Sequence, residues 1–264
     1  MSSGSVPSRV IEYISKRDSL SIDDLVEDLK VSRITAKNYL SRLESMNMVK
    51  RVGRGIYQVG GGKTAEVELN PRVQKLAETL RNRYQFADLA IWSLSMLSDY
   101  SHYAIGKDLM FVEADETTSE SIKDYLRENG YNPILKPEKK DYREYTSMLG
   151  ELVFILERGE RYEVKGQTPS PEKVWLDVYY LVTRKGLSFS PGELGVIFAN
   201  MLRGEGVNFN RLRRYAHRRG VGNEVIVFLC GLRRSLPNRI PEGALGETGG
   251  TLKFIEEMVE AASE

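Results

Sequence analysis

At helical spacing, the stretch "VSRITAKNYLSRLESMN" carries Arg33, Thr35, Lys37, Asn38, Ser41 and Arg42 on one side and Ala36, Leu40 and Leu43 on the other. Guanidinium, ammonium, carboxamide and hydroxyl groups hydrogen-bond to phosphate oxygens and base edges, so this face has the chemistry to hold and read a duplex. A second stretch, "NFNRLRRYAHRRG" from Asn208 to Gly220, gathers five arginines and one of the two histidines in a chain of net charge +1. As a helix it places Leu212, Tyr215 and Ala216 on one side, with Arg211, Arg214 and Arg218 recurring at three and four residues on another. Arg213 and His217 line the adjacent edge, and Arg219 follows. Like charges at this spacing destabilise a helix unless they meet anions. Guanidinium groups suit phosphate or carboxylate, so two expectations stand level: a second anion surface built from these six residues, or arginines paired with this chain's own acids, such as the tail "LKFIEEMVEAASE".

The remaining chemistry is sparse. Glu113 and Asp115 in "VEAD" alternate along a strand and so can share a face suited to a metal ion, yet no lysine follows in a nuclease-like Glu-x-Lys order. A strand end whose carboxylates face solvent or pair with basic residues is the favoured expectation. His102 lacks a neighbouring cysteine or serine-nucleophile motif and is expected to be hydrogen-bonded and structural. Cys230, the one cysteine, lies in "NEVIVFLCGLRRSL" and reads as a small core residue. "GGGKT", from Gly60 to Thr64, ends like a phosphate-binding loop, but Tyr57 stands where that loop needs its first glycine. No catalytic constellation, metal centre or cofactor motif is read.

Composition agrees with an ordinary folded protein: 264 residues, 41% hydrophobic and 28% charged. One cysteine excludes an internal disulfide and suits a reducing compartment. No apolar run approaches the roughly 20 residues of a membrane helix, and the start "MSSGSVPSR" has no hydrophobic signal core, so the expectation is cytoplasmic with no membrane partner. The charge is uneven: residues 203 to 239 hold nine basic against two acidic side chains, and residues 240 to 264 one against six.

The first sixty residues supply elements to position the Arg33 face. Val10, Ile11 and Ile14 mark a first helix after Pro7, and Ser21 with Asp24 makes a capping box for a second. Ser32 caps the third helix, and "MVKRVGRGIYQVG" reads as two strands, 49–52 and 56–59, turned through Gly53, Arg54 and Gly55. Three helices and a hairpin make a winged helix-turn-helix, in which the third helix enters the major groove and Lys50, Arg51 and Arg54 in the wing reach the flanking backbone or minor groove. Beyond residues 61–71, a linker, apolar strands in "FADLAIWSL", "DLMFVEAD" and "ELVFILER" alternate with helices between about Phe86 and Arg158, after which all is helical. "SPEKVWLDVYYLVTRKG" buries Trp175, Val178, Tyr179 and Val182, and pairs Lys173 with Asp177 on an exposed face. The fold class expected is α+β: a winged helix-turn-helix over 1–60, then a larger α/β domain over 72–264 with a helical C-terminal part.

A winged helix ending in "GRGIYQVG", a linker, an α/β region and the helix "SPEKVWLDVYYLV", with Glu172, Lys173, Asp177 and Tyr180, resemble the antitoxin and transcriptional-regulator component of abortive-infection (AbiE-type, type IV) toxin–antitoxin systems. The resemblance implies that the N-terminal domain binds operator DNA to repress its own operon. It also implies that the larger domain counteracts a nucleotidyltransferase-like toxin as a functional rather than stable partner. The arginine-rich segment stands outside that pattern. The leading expectation is a DNA-binding regulator acting on double-stranded DNA, without cofactor and not an enzyme, for which a homodimer is compatible. Its rivals are a divergent metal-dependent nuclease or nucleotidyltransferase centred on Glu113 and Asp115, and a non-catalytic scaffold whose Arg211 to Arg219 face binds an acidic protein or RNA.

Overall fold

The computed structural model describes residues 6–17, 19–46, 48–59, 70–158, 164–165, 168–204, 207–236, 239–240 and 253–263. The chain divides into two compact units, one joining Met1–Ala65 to Phe198–Glu264 and the other spanning Glu66–Ile197. The first unit begins with α1 (Ser8–Ser15), β1 (Ser19–Ser21), α2 (Ile22–Leu29), α3 (Arg33–Ser45), β2 (Val49–Gly53) and β3 (Ile56–Val59). The strands form an antiparallel sheet in the order β1-β3-β2, which completes the winged helix-turn-helix. Val10, Ile14, Ala36, Leu40 and Leu43 fill its core, as their helical spacing predicts, and Leu25 joins them. The Ser21 hydroxyl accepts from Asp24 N at 3.1 Å while the Asp24 carboxylate accepts from Ser21 N at 2.6 Å, a closed capping box.

The second unit opens with α4 (Pro71–Arg83), capped by Asn70, whose side chain accepts from Arg72 N at 3.0 Å. Asn70 and Pro71, the end of the expected linker, therefore cap and start a helix, while its residues 61–69, and with them "GGGKT" from Gly60, lie outside the described residues. There follow β4 (Ala90–Ser93), β5 (Met110–Ala114), α5 (Glu116–Glu128), β6 (Tyr131–Leu135), α6 (Lys139–Glu144) and β7 (Glu151–Glu157). The sheet runs β4-β5-β7-β6, with β4 antiparallel to β5, and β5 and β6 each parallel to β7. Sequence reading missed β6, whose Pro133 cannot donate to a ladder. The sheet tolerates it because β6 is an edge strand.

Alternation splits this sheet into two faces. Ile91, Met110, Val112, Ala114, Val153 and Ile155 pack with α4 and α5. The opposite face carries Trp92, Phe111 and Phe154, with the Trp92 and Phe111 rings stacked at 3.9 Å. The expectation of helices alone after Arg158 needs correction: β8 (Val164–Lys165) and β9 (Thr168–Pro169) form a small antiparallel pair before α7 (Pro171–Tyr180). Two-residue strands are too short to show a hydrophobic period. α7 is buried at every position from Glu172 to Tyr179, passes into a π-helical turn, Leu181–Lys185, and is followed by α8 (Pro191–Arg203). Val182 is only half-buried.

The division between the units falls inside α8, after which α9 (Phe209–Arg218), α10 (Gly222–Ser235) and α11 (Lys253–Ser263) belong to the first unit. α9 packs on β2, and α10 packs on both α9 and α11. A Cβ on Gly231 of α10 would lie 2.7 Å from a methyl of Val259 in α11, so glycine is what lets these helices touch. The fold class is the mixed helix and sheet expected, with the winged helix at the N-terminus. Compactness does not follow chain order, however. Residues 198–264, expected within a domain over 72–264, group with the winged helix.

Candidate nucleic-acid interface

The turn from α2 to α3 is made by Lys30, whose φ of 51° places it in the left-handed region, followed by Val31 and Ser32. The Ser32 hydroxyl accepts from Thr35 N at 3.1 Å and starts α3 abruptly. The same hydroxyl lies 2.8 Å from Thr35 Oγ1, so Thr35 helps build the cap and is half-buried, although sequence placed it on the outward face. Arg33, Lys37, Asn38, Ser41 and Arg42 are exposed along α3. Arg33 also forms an ion pair with Asp23 of α2, between two solvent-exposed side chains. Sequence reasoning passed over Ile34, which is 73% exposed among these polar neighbours. An apolar residue on the polar side of an amphipathic helix was the signal.

Behind α3, α1 is tied to α2. The Tyr13 hydroxyl donates to Asp28 Oδ2 at 2.5 Å, and Arg17 reaches the same carboxylate at 2.8 Å. Burial, reinforced by the Asp28 hydrogen bond, pushes the Tyr13 phenol above its ordinary range.

In the wing, Arg51 and Arg54 are exposed and Lys50 is half-buried opposite Gln58. Arg51 stands opposite Tyr57, and its Nε donates to the Gly53 carbonyl at 3.1 Å across an irregularity in the β2–β3 register. Gly55, at φ +75°, makes the turn, and its carbonyl accepts from Ile22 N at 2.9 Å, which anchors the wing to the start of α2.

The arginine-rich segment forms α9, capped by Asn208, whose side chain accepts from Arg211 N at 3.0 Å. Leu212, Tyr215 and Ala216 are buried, as the periodicity predicts. Arg214, His217 and Arg218 are exposed, and Arg211, Arg213 and Arg219 are half-buried. Arg219 lies over the Tyr215 ring, its guanidinium carbon 5.7 Å from the centroid. The acidic tail forms α11 against α10. Asn210 meets the wing: a Cβ on Gly53 would lie 3.2 Å from its Cγ. Nothing in the sequence pointed to that contact.

The carboxylates weighed as a metal site are not brought together as one. Glu113 faces the aromatic side of its sheet and is fully buried, and its Oε1 accepts from Lys173 Nζ at 2.6 Å and Trp92 Nε1 at 2.9 Å. Arg158 NH1 stands 2.9 Å from the same oxygen and 3.2 Å from Asp177 Oδ1, and Lys173 Nζ lies 2.7 Å from Asp177 Oδ2. An ammonium and a guanidinium thus already meet the Glu113 carboxylate at Oε1. Asp115 has left the strand to become the N-cap residue of α5. The Lys173–Asp177 pair, expected on an exposed face, is buried to 1% and 0% exposure because α7 is enclosed on all sides. His102 is exposed, and its backbone N–H donates to Glu193 Oε1 at 3.0 Å. Cys230 is half-buried.

Among the described residues, no helix is long and apolar enough to cross a membrane. Residues 8–57 match the DeoR-like helix-turn-helix domain, which supports a DNA-binding transcriptional regulator. No curated protein matches the chain. A second match, over residues 35–233, runs from α3 into α10 and so takes in the whole α/β unit: the chain belongs to the family of unknown function DUF6577.

Proposed function

We propose that this protein is an autoregulatory transcriptional regulator that binds double-stranded operator DNA through α3 and the wing, and serves as the antitoxin of a toxin–antitoxin pair. The observation that carries the DNA reading is α3 itself. It is a sharply capped helix after a left-handed turn, with Arg33, Lys37, Asn38, Ser41 and Arg42 exposed on the side opposite its buried Ala36, Leu40 and Leu43. In a helix-turn-helix this element lies in the major groove with its N-terminal residues at base edges. Asn38 is suited to adenine, Arg33 to guanine or phosphate, and exposed Ile34 to the methyl of thymine. Arg51 and Arg54 hold the flanking backbone, and Thr35 acts through the cap. The antitoxin role is supported by the resemblance carried by the wing exit and by "SPEKVWLDVYYLV", and its partner is a nucleotidyltransferase-like toxin encoded in the same operon.

A gel-shift assay with DNA from upstream of the gene tests the reading. Specific retardation that weakens steeply with salt, and that falls in Arg33→Ala, is the expected result. Equal affinity for upstream and random duplexes, or no binding at low salt, would overturn it. Co-expression with the adjacent gene product tests the antitoxin role by rescue of growth.

A further inference from the structure

We infer that α9 prolongs the wing, and that its arginine stripe binds backbone phosphates of the DNA flanking the sequence read by α3. The inference rests on the DNA-binding reading above. Its starting point is the contact of Asn210 with Gly53, a residue flanked in the wing by exposed Arg51 and Arg54. On a helix, positions i, i+3, i+4 and i+7 share one face, so the stripe that begins at Asn210 continues through Arg213, Arg214 and His217. The opposite side of α9 is committed to packing through Phe209, Leu212, Tyr215 and Ala216. The stripe therefore starts beside the wing in the same compact unit, with Arg213 half-buried and Arg214 and His217 exposed.

At 1.5 Å per residue, Asn210 to His217 extends about 10 Å, the axial span of roughly three phosphates on one strand. Arginine's planar fork fits phosphate oxygens, and a surface that contacts backbone alone needs no sequence match. Nine basic against two acidic residues between positions 203 and 239 give the region the sign such a surface requires. Duplex DNA is favoured over RNA or an acidic protein because the stripe abuts the wing, the part of a winged helix that lies along flanking backbone.

The test uses the full chain and two duplexes from upstream of its gene. One is trimmed to the stretch protected from DNase I in Arg213→Ala/Arg214→Ala, and the other is extended by about one helical turn, 10 base pairs, on each side. Wild type should bind the long duplex more tightly than the short one. Two added phosphate contacts steepen the log–log salt dependence by about 1.8, so this advantage should shrink roughly tenfold between about 50 and about 200 mM salt. Arg213→Ala/Arg214→Ala should lose the advantage while matching wild type on the short duplex, and Arg213→Lys/Arg214→Lys should keep most of it by retaining the charge. Thermal unfolding of each variant identifies any that fail to fold, and the lysine variant then decides. Equal effects of the alanine pair on both duplexes, or none on either, would overturn the inference and leave α3 as the DNA reader. Tighter binding to single-stranded RNA than to the long duplex would also overturn it. Failure of wild type to bind any duplex at low salt would instead remove the DNA reading from under it.

Discussion

Lys173 Nζ stands 2.6 Å from Glu113 Oε1, and both side chains are buried. The pair joins the middle of a sheet to a helix 60 residues away in sequence. Removing Lys173 leaves the buried Glu113 and Asp177 carboxylates sharing the Arg158 guanidinium, an imbalance of one buried charge that costs about 3–5 kcal/mol. Lys173→Met should therefore lower the urea midpoint strongly, whereas Glu113→Gln/Lys173→Met should recover much of the loss. Additive losses in the double variant would show that the two charges are not coupled.

Side chains along α3 should separate into two classes. Lys37→Ala and Arg42→Ala should weaken binding across all duplexes and each lower the salt slope by about 1. Asn38→Ala should cost about 1–3 kcal/mol and relax the preference at one base pair, read by a binding-site selection experiment. A uniform loss for Asn38→Ala would place that residue on the backbone.

Ile34, 73% exposed in a helix of polar neighbours, tests the contact with thymine. Replacing thymine by uracil removes one methyl, worth about 0.8 kcal/mol if it is buried against an apolar side chain. One thymine of the operator should show that cost with wild type and not with Ile34→Ala. Folding stability should change by less than about 0.5 kcal/mol, because the residue is at the surface.

Gly55 turns the wing at φ +75°, where an L side chain is strained. Gly55→Ala should destabilise the winged helix by about 1–2 kcal/mol. The loss should appear in the thermal midpoint and in the footprint over the wing, while the α3 contacts stay intact.

Acid should loosen the end of β7. Lys136, then Ser119, holds the Glu157 carboxyl below its ordinary value of 4.5. The folded value is thus the lower one, so the contribution is present above the unfolded value and is lost as pH falls through the folded value. Stability measured from pH 6 downward should fall less steeply in Glu157→Gln than in wild type. The same slope in both would show that other carboxylates carry the acid response.

Local order was legible wherever a cap or a period specified it. Ser21 with Asp24, and Ser32 before Ala36, Leu40 and Leu43, fixed the helix-turn-helix, because capping and amphipathic spacing act within a few residues. The exposed basic and amide groups of α3 followed from the same periodicity. What escaped reading depended on neighbours distant in sequence. β6 went unread, and its Pro133 is tolerated because the sheet order makes that strand an edge. Lys173 and Asp177 have the spacing of an exposed pair, and only enclosure of α7 put them beside Glu113 and Arg158.

By itself, then, the sequence determined a winged helix with a basic outward helix, an α/β region, and a second arginine stripe with one apolar side, since each is written in residues a few positions apart. Only the tertiary structure decided that the stripe belongs to the winged-helix unit, with Asn210 against Gly53, and that Glu113 faces an ammonium. These are contacts across about 157 and 60 residues of chain, and they come from how apolar faces pack together, which no local pattern encodes.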